Sequence, residues 1–362
     1  MNEYSTIIGM DLGDEYSYWA VMVQDDEEIQ EEGRVRTTEE ALKRKFCAMK
    51  PARIAMEAGT HSAWVERLLT GCGHCVIVAN PRKLRMIYKS DIKNDKVDAR
   101  MLARLARVDI NLLSPIEHRG EKAQSHLAVL KARNALVSTR TDLINHVRGV
   151  VKSLGCRIPK CSAESFHKKA CGAMPESLRT ALGPVVEVIG ELTKKICPYD
   201  KEIETLCCEE YPETELFRGI SGVGPVTALA FSLTIAQAER FTSSRDVGSH
   251  LGLTPRQDQS GEQNPQLRIT KAGNSYMRRL LVGSAQYILG KLNKQDSELR
   301  TWGLKLAGPV DSKGKHNKRL KNRAVVAVAR KLAVLLHTIW STGEIYDPFY
   351  QQSMREQDKE AA

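Results

Sequence analysis

The chain has 362 residues, 42% hydrophobic and 27% charged, with a formal net charge of +10. That length holds two or three folded domains with real cores, and the composition excludes a disordered or low-complexity chain. The positive balance favours a polyanionic partner, and the sequence shows neither a signal peptide nor an evident membrane-spanning run, so it reads as cytoplasmic with no membrane partner.

In chain order, STIIGMDLG reads as a strand ending at Asp11, and YSYWAVMV and EEIQEEGRVR continue a three-strand meander. Residues 38–49 read as a helix and ARIAMEAG as a short strand ending at Glu57. A helix over 61–69, the buried strand HCVIVAN and the helix KVDARMLARLARV complete an α/β domain over 1–110. Ala123, Leu127, Leu130, Asn134, Val137, Thr141 and Ile144 then step by four and three, as do Leu178, Leu182, Val185, Ile189, Leu192, Ile196, Tyr199, Ile203 and Leu206. Two long helices folding back on each other are expected over 111–212, with Pro184 and Pro198 interrupting or kinking the second. GISGVGPVTALA, with Gly222, Gly224 and Pro225 at a tight turn, resembles a helix–hairpin–helix element that opens a mainly helical region over 213–345, leaving 346–362 as a frayed tail.

Nine cysteines in such a chain argue against a disulfide framework, and Cys72–Cys75 is half a zinc site without a second half. The acidic residues are more telling. Asp11 and Glu57 both end strands, where catalytic groups gather in open α/β sheets, and Asp95 and Asp98 share the face of a helix start. Each alone suits an ordinary cap or surface position. Together they would place four negative charges in one cleft, which two Mg²⁺ ions would balance while clamping a phosphodiester. An actin-like ATPase fits less well, because the chain contains no adjacent glycine pair. Basic residues surround the acids and recur later: Arg82, Lys83, Arg85 and Lys93 on one side, Arg268, Lys271, Lys318 and Arg319 on the other. Ser260, in the polar loop LTPRQDQSG, is open to two uses, a plain loop serine or a nucleophile with Arg268 and Lys271 nearby.

The blocks GMDLG, AMEAGTHS, NPRKLR with KNDKVDARMLARLA, GISGVGPVTALA, LGLTPRQDQSG, ITKAGNSYMRRLLV and AVVAVARKLA resemble, in order, the DEDD transposases of the insertion-sequence-110/1111 type, the bridge-RNA-guided recombinases. The resemblance implies an RNase H-like domain of the Holliday-junction-resolvase kind, with Asp11, Glu57, Asp95 and Asp98 as its acids, then a coiled-coil middle and a C-terminal transposase domain whose nucleophile maps to Ser260. It implies attack of Ser260 on DNA with a phosphoserine intermediate, two Mg²⁺ ions (or Mn²⁺), an element-encoded bridge RNA, donor and target DNA, and a homo-oligomer, a dimer or a tetramer on DNA. Asn94 departs from the threonine usual before the first aspartate of the pair. The alternatives are a junction endonuclease that uses water and a non-catalytic nucleic-acid-binding protein.

Overall fold

The computed structural model describes residues 4–84, 94–260, 265, 267–311, 314 and 316–350. The chain divides into two compact units, Met1–Gly120 and Glu121–Ala362.

The first unit is a five-stranded sheet in the order β3-β2-β1-β4-β5, formed by β1 (Thr6–Asp11), β2 (Tyr16–Val23), β3 (Glu31–Arg36), β4 (Arg53–Glu57) and β5 (Cys75–Ala79). The β1–β2 and β2–β3 pairs are antiparallel, whereas β4 pairs parallel with both β1 and β5. Alternation along β1 shows why helices cover both faces. Ile8 and Met10 pack with Leu42 and Phe46 of α1 (Glu39–Phe46) and with Val65 and Leu69 of α2 (Ser62–Gly71). Ile7 points the other way, into a cluster with Leu102, Leu105 and Ala106 of α3 (Asp95–Val108). The edge strand β3 carries mostly exposed, charged residues, which discourages pairing with another sheet.

Helix α3 lies against β1 without clearance. A Cβ on Gly9 would fall 2.0 Å from the Ala99 carbonyl oxygen and 2.4 Å from the Ala103 nitrogen. Gly9 faces Ala99 and Ala103 while Ile7 shares its cluster with Leu102, Leu105 and Ala106, so α3 runs antiparallel to β1. Its start therefore lies toward the end of β1 that bears Asp11. The C-terminal ends of α1 and α2 are tied by a Cys47–Cys72 disulfide, where the cysteine count argued against such bonds. Cys72 is thereby unavailable as half of a zinc pair with Cys75.

The second unit is helical. Helices α4 (Glu121–Ser153) and α6 (Glu176–Glu209) pack antiparallel, with α5 (Phe166–Ala173) between them in the chain. The register is read from paired side chains: Lys122 with Glu210 at 2.5 Å, Arg133 with Asp200 at 2.9 Å, and Arg140 with Thr193 at 3.2 Å. The expected seam changes phase once. Thr141 is exposed and donates to the Val137 carbonyl, while Arg140 is buried in its place. Helix α6 also passes through Pro184 and Pro198 without interruption. Both prolines are exposed, so the carbonyls deprived of a donor lie on the side that water reaches.

Helix α7 (Glu213–Arg218), a glycine turn and α8 (Pro225–Ile235) follow, and α8 is the buried axis of this unit, with every residue from Thr227 to Ile235 out of solvent. Around it pack α9 (Ser244–His250), α10 (Ser275–Ile288), α11 (Glu298–Ala307) and α12 (Lys318–Thr342). Helix α12 is long and apolar enough to cross a membrane, contrary to the reading from sequence, which saw no such run. Half of its apolar stretch is buried in this core, as in a core helix.

The close fit of α3 on β1 yields a direct test. Gly9→Ala should destabilise the protein by about 3 kcal/mol, because backbone, which cannot rotate away, occupies the space the methyl group needs. Urea unfolding of the full chain, followed by far-ultraviolet circular dichroism, measures the shift in midpoint.

Candidate active site and nucleic-acid interface

The parallel register of β1 and β4 sets Met10 opposite Met56, so Asp11 and Glu57 are the next residues of two adjacent strands at the same sheet edge. Both are half-buried. Helix α3 brings the aspartate pair toward that edge. From Ala99, which faces Gly9, Asp98 lies one residue back and Asp95 four, a rise of about 6 Å, while Asp11 lies two residues beyond Gly9 along the strand, about 7 Å. Asn94 caps α3, its side-chain oxygen accepting from the Lys96 amide at 3.0 Å. Asparagine caps a helix at least as well as threonine, so this departure from the family pattern leaves the helix start intact.

The quartet shares an edge but does not close. Among the described residues no group of three His, Cys, Asp or Glu side chains could hold a metal ion. The donor chemistry still suits a hard divalent cation, since all four groups are carboxylates.

Two polar contacts fix the loop after Glu57. His61 accepts at Nδ1 from the Trp64 indole at 3.1 Å and donates from Nε2 to Asp14, in the turn after Asp11, also at 3.1 Å. This joins the loops that follow the two strand-end acids. Ser62 is fully buried, and its Oγ lies 2.8 Å from His118 Nε2 and donates to the Gly59 carbonyl at 2.8 Å. Burial, then the positive charges of Arg67 and Arg119, hold the His118 imidazole below its ordinary range. At the same edge, beyond β5, Arg82 and Lys83 are exposed on a turn held by Asn80. Arg85 and Lys93 lie outside the described residues.

In the second unit, residues 252–256 and 268–271 form a short antiparallel ladder. The Thr270 amide donates to the Thr254 carbonyl and the Arg256 amide to the Arg268 carbonyl, both at 2.9 Å. Ser260 is exposed on the segment beyond this ladder. The base of the ladder is tight. Gly252 has φ +68° with the Ala272 backbone where a Cβ would stand, and Arg278 donates to the carbonyls of Leu251 at 3.1 Å and Gly273 at 3.3 Å.

Both arms of this ladder, with Arg245 of α9 and residues of α11 and α12, line a groove of about 1750 Å³. Arg268, Lys271, Lys318 and Arg319, picked from sequence as nucleic-acid contacts, all line it. Gly222 and Gly224 do not. Gly222, at φ +90°, packs against α10, where a Cβ would meet the Tyr287 ring at 3.0 Å, and Gly224 caps α8 ahead of Pro225. Arg245, Arg323, Arg330 and Lys331 join the groove without having been singled out as contacts. Their signal was a helical arc, since 319, 323 and 330 fall on one face of α12. No Asp or Glu is among the described residues that line the groove. The first turn of α12 carries Lys318, Arg319 and Lys321 and no acid, although a helix start favours negative charge. An anion at this end would relieve that mismatch.

Comparison with known proteins finds family matches in both parts of the chain. Residues 8–155 match the DEDD transposase family of the IS110 type, and residues 214–300 match the family described as "Transposase IS116/IS110/IS902 family". The chain belongs to the IS110 family of DEDD transposases. It is 27% identical to the transposase for insertion sequence element IS1111A of Coxiella burnetii, over 88% of this chain and 86% of that one. It is 25% identical to the transposase for insertion sequence element IS1328 of Yersinia enterocolitica, over 94% and 98% of the two chains. A probable family 20 transposase of Pseudomonas aeruginosa is 26% identical over 84% of this chain and 88% of its own. The protein is accordingly a DNA transposase, and its DEDD class points to divalent-metal use.

Because the folded protein holds His118 neutral to a lower pH than the unfolded chain does, the unfolded chain binds the extra proton first as pH falls. This contribution to stability is complete above the ordinary histidine value of about 6.5, and it declines as pH drops from there to the lower folded value. Thermal melts of wild type and His118→Asn between about pH 7.5 and about pH 5 should show the wild type losing more melting temperature on acidification.

Proposed function

We propose that this transposase is an RNA-guided DNA recombinase whose first unit is an RNase H-like catalytic domain over residues 1–110. The observation that carries the reading is the placement of Asp11 and Glu57 on adjacent parallel strand ends, with the Asp95–Asp98 helix start directed to the same edge. Three antiparallel strands followed by two parallel ones, with helices on both faces, support the fold assignment. In this reading the paired helices of 111–212 act as a coiled-coil association region and 213–345 as the transposase domain, with 346–362 as a tail. The turn between α7 and α8 is a helix–hairpin–helix-like element.

Asp11, Glu57, Asp95 and Asp98 would hold divalent cations, two Mg²⁺ or Mn²⁺ by charge balance, which when bound would supply positive charge to the phosphoryl oxygens. The loops after Asp11 and Glu57, joined by Asp14 and His61, keep the two strand-end acids in fixed relation. Ser260 is the nucleophile. Its Oγ bonds to phosphorus, the bond from phosphorus to the departing DNA oxygen breaks, and that oxygen takes up a proton, leaving a phosphoserine link. Exposure of Ser260 on an arm whose root carries Arg268 and Lys271 supports this role, since both cations suit the added negative charge. The free DNA hydroxyl of a second strand then reverses the step, which exchanges and reseals the strands. Sequence choice comes from an element-encoded bridge RNA paired to donor and target DNA, so the protein needs mostly backbone contacts, for which its +10 charge is suited. The acids and the serine come from different copies in a homo-oligomer, and the work is done in the bacterial cytoplasm on the nucleoid.

Incubating the full chain with RNA from the flanks of its element, donor and target DNA and Mg²⁺, then separating products under denaturing conditions, tests this. Wild type should give protein-linked strands, Ser260→Ala none, and Asp11→Asn should lower the rate by about 10³-fold. Continued cutting by Ser260→Ala without an adduct would replace the serine mechanism with attack by water. No metal-dependent cutting by wild type would end the catalytic reading altogether.

A further inference from the structure

The groove in the second unit has a property that contact with phosphates alone does not explain. Its rim is cationic, with exposed Arg319, Arg323 and Arg330 along one face of α12. Its floor is apolar, and among the described residues the floor includes large side chains left in water: Leu306 at 43% exposure, Leu320 at 37% and Leu267 at 36%. Trp302 also lines it, with the Lys331 ammonium 4.4 Å from the ring centroid. Exposed apolar side chains that line one groove together with several cations mark a binding surface.

The dimensions and charge narrow the occupant. At 1750 Å³ the groove exceeds the pockets of about 300–1,000 Å³ that hold small ligands, and from Arg319 to Val334 it follows α12 for about 22 Å. The occupant is therefore a polymer segment. Arg245, Arg268, Lys271, Lys318, Arg319, Arg330 and Lys331 line it, and no Asp or Glu is among its described lining residues, so its charge favours a polyanionic occupant, and a second copy of a +10 chain fits that poorly. A nucleic-acid duplex meets the charge but hides its base faces in the stack, so the floor would stay wet. An unpaired strand meets both demands, with phosphates on the cationic rim and bases laid on leucine and tryptophan.

We propose that this groove binds a short single-stranded stretch of polynucleotide through its base faces as well as its backbone. The proposal deepens the nucleic-acid reading above and rests on it, naming unpaired rather than duplex nucleic acid as the ligand of this groove. Single strands of DNA and of RNA share the required chemistry: a guide pairing into a duplex displaces a DNA strand, and the unpaired parts of a guide are single-stranded RNA.

Fluorescence anisotropy with the full chain tests it, using labelled single-stranded DNA, single-stranded RNA and a duplex of the same sequence across a salt series. Wild type should bind single strands more tightly than duplex, and comparison of the first two probes identifies which source is preferred. Leu306→Ser with Leu320→Ser, both at exposed positions, should lower the ratio of single-strand to duplex affinity about tenfold. Trp302→Leu should lower it also, and Trp302→Phe should restore it. Lys318→Ala with Arg319→Ala should reduce the salt slope for single strands by about 1.4. Thermal melts confirm that each variant is folded. Equal affinity for duplex and single strand, unchanged by the leucine pair, would overturn the proposal, as would displacement of the single strand by a polyglutamate peptide at equal charge concentration. Failure of strand transfer with intact single-strand preference would sink the recombinase reading alone, and the reverse result would sink only this one.

Discussion

Backbone against backbone at Gly9 is the contact on which the first unit depends. No side chain stands between β1 and α3 there, so the distance between strand and helix is set by main-chain atoms, which do not adjust by changing rotamer. Asp11, two residues along the strand, and Asp98 and Asp95, one and four residues back along the helix from Ala99, inherit that rigidity. Parallel pairing of β1 with β4 does the same for Glu57 through hydrogen bonds. The four acids come from three separate stretches of chain, yet each is referred to the same short segment of β1.

The two units divide the demands of working on nucleic acid. Negative charge collects at one sheet edge, with Arg82 and Lys83 exposed beside it. Positive charge collects in a groove of the helical unit, at the start of a helix whose dipole adds to the field. Like charges gathered in this way suit partners of opposite sign, cations at the edge and phosphates in the groove under the readings proposed above.

Much of this was legible before any coordinates. The buried strand run of β5 and the heptad-like steps of α4 and α6 rest on local pattern, which a linear reading captures. The carboxylate quartet was legible as an order of residues, but its shared edge depends on which strands pair and in which direction. What escaped the reading depended on context. Pro184 and Pro198 are tolerated because they face water, and Arg140 displaces Thr141 from the seam because the register advances by three there instead of four. Likewise α12 has the composition of a bilayer span, and only its neighbours reveal a core helix. The groove joins residues from about 245 to 334, too dispersed for any local motif.

The facing of α4 and α6 carries a further consequence. Residue numbers of partners across the pair sum to nearly the same value from Lys122–Glu210 to Arg140–Thr193, so the two helices measure one another like the rails of a ladder. Lengthening one rail by a single residue would swing every later rung by about 100° around its axis. Viable changes in the reach of this arm therefore come in matched additions to both helices, in steps close to seven residues.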